Sequence, residues 1–365
     1  MKFVSGDKMF FMLVLGVVFA GLAIFSSATL GLLARESSSV SQDILLQAGL
    51  GLGLGFLSLL AARAVPLALI KRFAPYIYAA TILFTALVFV PGIGFHSGGA
   101  TRWIDLGFTT VQPSEFLKIG FVLVLAWWLA PHARQLANPK KGLFPFVVML
   151  ALPSALLLAQ PNTSTALLIL ATGTIMYFAA GAPWRDFGII ALGVVIALGV
   201  IIVMRPYTLE RIKTFIDPSA HSLTSGYQIQ QSLIAIGSGG LLGRGFGQSV
   251  GKFNYLPEPD GDSVFAVFAE ETGFVGAAML ILLFIALAAR GIVIAGNSHD
   301  LFGGLIALGF SCIIIIQAFI NMGAMLGIIP LTGLPLPFIS HGGTALMAVL
   351  IMCGLILNVA AHRKA

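Results

Sequence analysis

Ten separate stretches of this chain are apolar for long enough to cross a hydrocarbon core about 30 Å thick, which takes roughly 20 residues of helix. They centre on residues 9–33, 44–62, 74–91, 114–130, 143–159, 163–181, 187–204, 272–290, 301–322 and 342–361. In lipid every backbone N–H and C=O must be satisfied inside the protein, so runs of this kind have to be helices. With 58% hydrophobic and only 9% charged residues, a water-soluble globular domain is excluded. The expected fold is all-α and polytopic, with about ten transmembrane helices and one large extracytoplasmic loop, residues 205–263, between spans 7 and 8. Residues 1–365 are expected to form a single membrane domain, because the tails and the cytoplasmic loops are too short to hold a soluble module.

Cationic loops stay on the cytoplasmic side, so the placement of Lys and Arg sets the orientation. With the N-terminus inside, Lys2, Lys8, Arg63, Lys71, Arg72, Arg134, Lys140, Lys141, Arg185, Arg290, Arg363 and Lys364 are cytoplasmic, against Arg35 and Arg102 in short outer loops. Both termini are expected in the cytoplasm. The long 205–263 segment carries five further cations, but long loops cross largely regardless of charge. The net charge of +6 needs no nucleic-acid partner, since these cations lie where anionic lipid headgroups are. The first apolar run is too long for a signal-peptide core and reads as a retained signal-anchor helix. Cys312 and Cys353 fall in apolar runs and read as small hydrophobes, with no disulfide framework.

Any chemistry must therefore be built from helix ends and outer loops, of which 92–113, 205–263 and 323–341 are long enough to matter. Five of the fourteen carboxylates crowd into residues 258–271: Glu258, Asp260, Asp262, Glu270 and Glu271. Acids beside a bilayer are costly unless something uses them, which makes this stretch the first place to look for a site. For Glu270 and Glu271 the competing reading is structural, as acids favourably placed near a helix N-terminus. The 323–341 segment is apolar yet carries Pro330, Pro335 and Pro337, so it cannot be one helix. It reads as a packed or re-entrant loop over a pocket, with a plain connection as the alternative. Glu115 and Lys118, three residues apart, share one helical face, as either a functional pair or a structural ion pair. Arg102 and Asp105 flank Trp103 as a second pair or an anion-binding edge. The glycine-dense run 237–247 reads either as a structural turn or as a backbone nest for a pyrophosphate near Arg244 and Lys252, while 227–236 reads as an amphipathic surface helix. The six histidines are too scattered for a histidine-bound metal.

Several separated motifs carry a family resemblance: Arg102-Trp103-Ile104-Asp105-Leu106-Gly107, Gln112-Pro113-Ser114-Glu115, Tyr227-Gln228-Ile229-Gln230-Gln231-Ser232, Tyr255-Leu256-Pro257-Glu258 with Asp262, and Pro335-Leu336-Pro337-Phe338-Ile339-Ser340. Over nearly its whole length the chain resembles the SEDS family of peptidoglycan glycan-chain polymerases, the FtsW and RodA group. The run from Gly245 to Pro259 is more similar to the division member than to the elongation member. The resemblance implies a bacterial inner-membrane enzyme that polymerises lipid II on the outer leaflet in septal cell-wall synthesis, inverting the anomeric carbon and expelling undecaprenyl pyrophosphate. It places the catalytic base on Asp262. Glu258 is expected to orient that base or to share a divalent cation, Mg or Mn, with it. Arg102, Glu115, Lys118, Lys252, Glu258, Gln231 and Ser340 are the expected substrate contacts, with Arg102, Lys118 and Lys252 as candidates for the pyrophosphate. A class B penicillin-binding protein transpeptidase and other division proteins are the implied partners. The chain departs from the family pattern at Asp260-Gly261, at Asn162 and at His341, and Asp260 becomes a rival base. A lipid II flippase, an elongation-type polymerase and a non-catalytic scaffold are the alternatives. Alternating access favours polar helices near the midplane, whereas the charged candidates here lie at the boundary.

Overall fold

The computed structural model describes residues 7–33, 47–97, 100–107, 109–204, 206–218 and 225–362. Lys2, Arg35, Arg205, Arg363, Lys364 and the start of the second apolar run fall outside them. The described helices are α1 (Lys8–Leu33), α2 (Gly55–Ala64, continuing a π-helical turn Gln47–Leu54), α3 (Leu67–Ala86), α4 (Pro113–His132), α5 (Leu143–Ala159), α6 (Thr163–Ala179), α7 (Trp184–Met204), α8 (Pro206–Ile216), α9 (Ser225–Ser238), α10 (Gly251–Asn254), α11 (Val264–Gly296), α12 (Leu301–Met325) and α13 (Gly343–Ala361). Seven of them (α1, α3, α4, α7, α11, α12 and α13) are long and apolar enough to span a membrane, and shorter apolar helices cover 51–64, Leu143–Ala159 and Thr163–Ala179. The protein is a multi-pass membrane protein, mostly all-α, and each expected apolar run meets a helix.

The centre of the bundle is built by α4, α12 and α13, whose apolar side chains are buried on most of their circumference. A helix hydrophobic all round belongs inside, and these are. By contrast α7 leaves Val195, Ile196 and Val203 exposed, as a peripheral span facing lipid does. Because lipid tails are as apolar as leucine, close helix contact depends on small residues. At the crossing of α2 and α13, a side chain on Gly354 would meet the backbone of Leu59, and one on Gly55 would meet Leu350 and Met347.

Two boundaries differ from the sequence reading. The eighth span starts at Val264, not near residue 272, and passes through a kink at Gly273 with φ 66° and ψ −164°. Glu270 and Glu271 interrupt the apolar run, but both are buried with partners, so the helix continues upstream of them. The outer 92–113 segment is not purely irregular: β1 (Gly94–Ser97), β2 (Ala100–Asp105) and β3 (Thr110–Val111) form an antiparallel sheet in that order. Pairing Phe95 with Trp103 and Ile104 with Val111, it satisfies the backbone of a loop that leads into Pro113 at the start of α4.

Candidate functional site

Asp262 ends the long segment between α7 and α11, two residues before α11 begins. Its backbone is fixed first. Asn321, on α12 and 1% exposed, donates through Nδ2 to Asp262 O at 2.9 Å and to Leu334 O at 2.8 Å. Both partners are carbonyls, which fixes the amide's orientation with its NH₂ toward the loops. One turn away, Gln317 donates to Pro335 O at 2.9 Å and accepts from Lys118 Nζ at 2.7 Å. Lys118 in turn pairs with Glu115 at 2.7 Å. A polar chain thus runs from the Glu115–Lys118 pair through two amides of α12 to the base of Asp262.

The proline-rich segment packs over this ladder. Leu334, Leu336, Phe338 and Ile339 are buried, so the segment is a packed loop and not a plain connection. Ser340 Oγ donates to Gly261 O at 2.8 Å and accepts from Leu336 N at 2.8 Å, and His341 N donates to Asp260 O at 2.7 Å. Gly333, with φ 66°, brings the same loop against the Asp262 carboxylate, 3.4 Å from where a side chain would begin. Glu258 holds a left-handed φ of 47°, sparsely populated for a non-glycine residue, and its carbonyl accepts from Gly261 N and Ser263 N. That tight turn sets Glu258 and Asp262 beside each other.

Two cations face them. Arg102, on β2, donates through Nε to Gln160 O at 3.2 Å and through its terminal nitrogen to Pro161 O. Arg211, on α8, donates to Leu331 O at 3.1 Å. Burial in the protein wall, reinforced by the Glu258 charge, pushes the Asp262 carboxyl up to about 6, with Arg211 and Arg102 acting in the opposite sense. An acid with that value is ionised at neutral pH yet basic enough to accept a proton in a reaction.

The expected site residues divide into three groups. Arg102, Glu258 and Asp262 come together. Ser340, Glu115 and Lys118 brace them from behind: they are 5%, 1% and 0% exposed, so they support the loops without lining an open surface. Lys252 and Gln231 lie elsewhere. Lys252 is fully enclosed, with Nζ 2.7 Å from Glu271 and 3.0 Å from Ser27 of α1, which corrects its reading as a pyrophosphate ligand. A buried ammonium needs a carboxylate, and Glu271 provides one. Gln231 lines a separate cavity with Arg244, Tyr255 and Glu270.

Glu270 and Glu271 act as neither site acids nor helix-start acids, since α11 begins six residues earlier. Glu270 accepts from Ser249 Oγ and the backbone of Val250 and Gly251. The glycine-dense run is the structural turn: Arg244 N and Gly245 N donate to Glu270 O and Glu271 O, and a side chain on Gly243 would collide with that backbone. Asp105 does not pair with Arg102 but accepts from Gly107 N at 2.7 Å within its own turn. Of the residues departing from the family pattern, Asp260 and His341 meet each other at 3.8 Å, while Asn162 caps α6 by accepting from Thr165 N. Sequence reasoning missed Arg211, Asn321 and Gln317. The signal for the last two was an amide pair at i and i+4 inside an otherwise apolar span.

Comparison with known proteins points one way. The FtsW/RodA/SpoVE family model, described as "Cell cycle protein", matches residues 7–365. Stage V sporulation protein E of Bacillus subtilis (strain 168) is 39% identical over 281 residues, covering 76% of this chain and 76% of that protein. A probable peptidoglycan glycosyltransferase FtsW of Coxiella burnetii is 38% identical over 312 residues, covering 85% of this chain and 84% of its own length. A solved chain from work titled "Structural coordination of polymerization and crosslinking by a peptidoglycan synthase complex" superposes with a TM-score of 0.81 at 30% identity, covering 99% of both chains.

Proposed function

The chain belongs to the FtsW/RodA/SpoVE family and is a SEDS peptidoglycan glycosyltransferase, and from that premise we propose that it polymerises lipid II, with Asp262 as the catalytic base, in septal wall synthesis. The observation that carries the assignment of the base is the Asp262 carboxyl, raised to about 6 and faced by two arginines, on a loop whose backbone is held by Asn321 at the Asp262 carbonyl and by Ser340 at the Gly261 carbonyl.

The chemistry follows from that arrangement. As the C4 hydroxyl oxygen of one saccharide attacks the anomeric carbon of another, Asp262 takes the hydroxyl proton. The bond from that carbon to the diphosphate breaks, the carbon inverts, and undecaprenyl pyrophosphate departs with the electron pair. A diphosphate leaves as a stabilised anion, so the site needs a base and cations and no general acid, unlike glycoside hydrolysis. Arg102 and Arg211 meet that anion. A guanidinium carries five donors in a planar fork, so holding loop carbonyls and receiving phosphate oxygens are compatible.

Glu258 and Asp262 also fit a divalent cation. Among the described residues no group of three or more acids, histidines or cysteines forms, but a magnesium-like ion commonly keeps several waters and binds through one or two carboxylates plus substrate phosphates. When bound it would supply charge neutralisation for the leaving diphosphate. The site then lies on the extracytoplasmic side with both termini in the cytoplasm, and a class B penicillin-binding protein is the partner that crosslinks the product. The similarity of 245–259 to the division member supports the septal role over elongation.

Purified protein, with and without its transpeptidase, given labelled lipid II in detergent tests this directly. Polymer from wild type and from Asp260→Ala, with none from Asp262→Ala, is expected; polymer from Asp262→Ala rejects the assignment. Transbilayer movement of lipid II in proteoliposomes without any polymer would favour the flippase.

A further inference from the structure

The segment between α7 and α11 and the start of α11 together wall a cavity of about 350 Å³ that Asp262 does not line. Gln231 and Ser238 of α9, Arg244, Tyr255 and Glu270 wall it, a size and polar content suited to one small ligand. Its floor is fixed. Glu270 accepts from Ser249 Oγ at 2.6 Å, Val250 N at 3.1 Å and Gly251 N at 3.2 Å, so its charge is satisfied without Arg244. The Arg244 Nε pairs with that carboxylate at 3.6 Å, an ion pair longer than a hydrogen bond, and the side chain is 42% exposed. Tyr255 offers an exposed aromatic face at the rim.

The rim is apolar on one side. Leu241 and Leu242 are 72% and 81% exposed, and their loop is pinned to the flank of α11 by Phe274 N to Gly240 O at 2.9 Å and Val275 N to Leu241 O at 3.1 Å. Exposed Phe274 and Met279 continue the strip down that span. From the membrane outward the order is therefore apolar strip, arginine, aromatic ring and hydroxyl or amide groups. A polyprenyl-diphosphate-linked saccharide has the same order.

We propose that this cavity holds the diphosphate and inner sugar of the accepting lipid-linked saccharide, an inference that rests on the polymerase reading above. The donor's diphosphate is bonded to the reacting carbon, so it must lie at Asp262 with Arg102 and Arg211. The acceptor reacts at the far end of its disaccharide, so its diphosphate sits the length of two sugar rings away. Glu270 lies six residues beyond Val264, about 9 Å along α11 at roughly 1.5 Å per residue. The walls of the cavity and of the Asp262 site are joined: Tyr255 leads along one loop to Glu258 and Asp262, and Gln228 of α9 donates to Ser263 Oγ at 3.0 Å. This assignment gives Gln231, expected from sequence to touch substrate, a place in the wall of the acceptor cavity.

Steady-state polymerisation of labelled lipid II by the full-length protein with its transpeptidase tests this. Arg244→Gln and Tyr255→Ala are each expected to raise KM about tenfold, the size of one lost charge-assisted or ring contact, with kcat within about twofold of wild type. Arg244→Lys should restore part of the KM. An unchanged KM in both variants, or a loss confined to kcat, overturns the acceptor site. Phosphatidylglycerol added as competitor separates the two sources of a lipid phosphate: inhibition of wild type that disappears in Arg244→Gln shows a general phospholipid headgroup site and overturns the assignment, whereas indifference supports it. Failure of wild type to polymerise at all would instead sink the polymerase reading, which the Asp262→Ala control reports separately.

Discussion

The two ends of one acid-rich stretch, residues 258–262 and 270–271, use the same side chains for opposite purposes. At the inner end Glu271 meets Lys252 and Ser27, and Glu270 meets a hydroxyl and two backbone N–H groups and pairs at 3.6 Å with Arg244. These charges tie α1, α10 and α11 together. At the outer end Asp262 is held by its backbone: Asn321 takes its carbonyl, Ser340 takes that of Gly261, and the carboxylate faces Glu258 and two arginines. A carboxylate whose oxygens are satisfied by the fold is structural. One whose main chain is satisfied while its charge stays raised and accessible is available for chemistry.

The comparison breaks if Asp262→Ala retains activity. It should lower lipid II polymerisation by at least about 10²-fold, as expected for loss of a general base, with no drop in thermal stability. The opposite signature is expected from Lys252→Met, which leaves Glu271 buried and uncompensated: a destabilisation of about 3–5 kcal/mol in thermal unfolding, the penalty of breaking a buried pair. Adding Glu271→Gln to that variant should recover part of the loss. If Lys252→Met instead unfolds like wild type but fails to polymerise, the inner end is functional after all.

Asn321→Leu falls between these outcomes, because it strips two buried carbonyls of their donor. A loss of about 1–3 kcal/mol in stability is expected, together with reduced kcat from a misplaced Asp262, separable from KM in the same assay. The pH profile sharpens the contrast further. Asp262 accepts a proton only when ionised, so activity should rise with pH and reach half its plateau near 6. Glu258 contributes to the upward shift, so Glu258→Gln should move the midpoint to lower pH. A midpoint unmoved by that change would show that the two carboxylates are not neighbours in solution. Asp260→Ala, which loses only a 3.8 Å contact to His341, should change activity by no more than a few-fold.

Apolar run length and the satisfaction of backbone groups in lipid were enough, without a structure, to require a multi-pass helical bundle, since no other arrangement of these residues survives in hydrocarbon. Composition also marked the acid-rich stretch and the proline loop, because charge and proline are costly in a span wherever it ends up packed. What the chain alone left open was which charge meets which. Lys118 and Lys252 read as cations for a diphosphate, yet both are consumed by carboxylates close in sequence, Glu115 at i−3 and Glu271 nineteen residues on. Arg211 read as one of several loop cations, yet α8 carries it to the proline loop 120 residues away. Only the tertiary structure decides such pairings, because desolvation makes an ion's role depend on the nearest counter-charge in space, and that neighbour is set by how the helices pack.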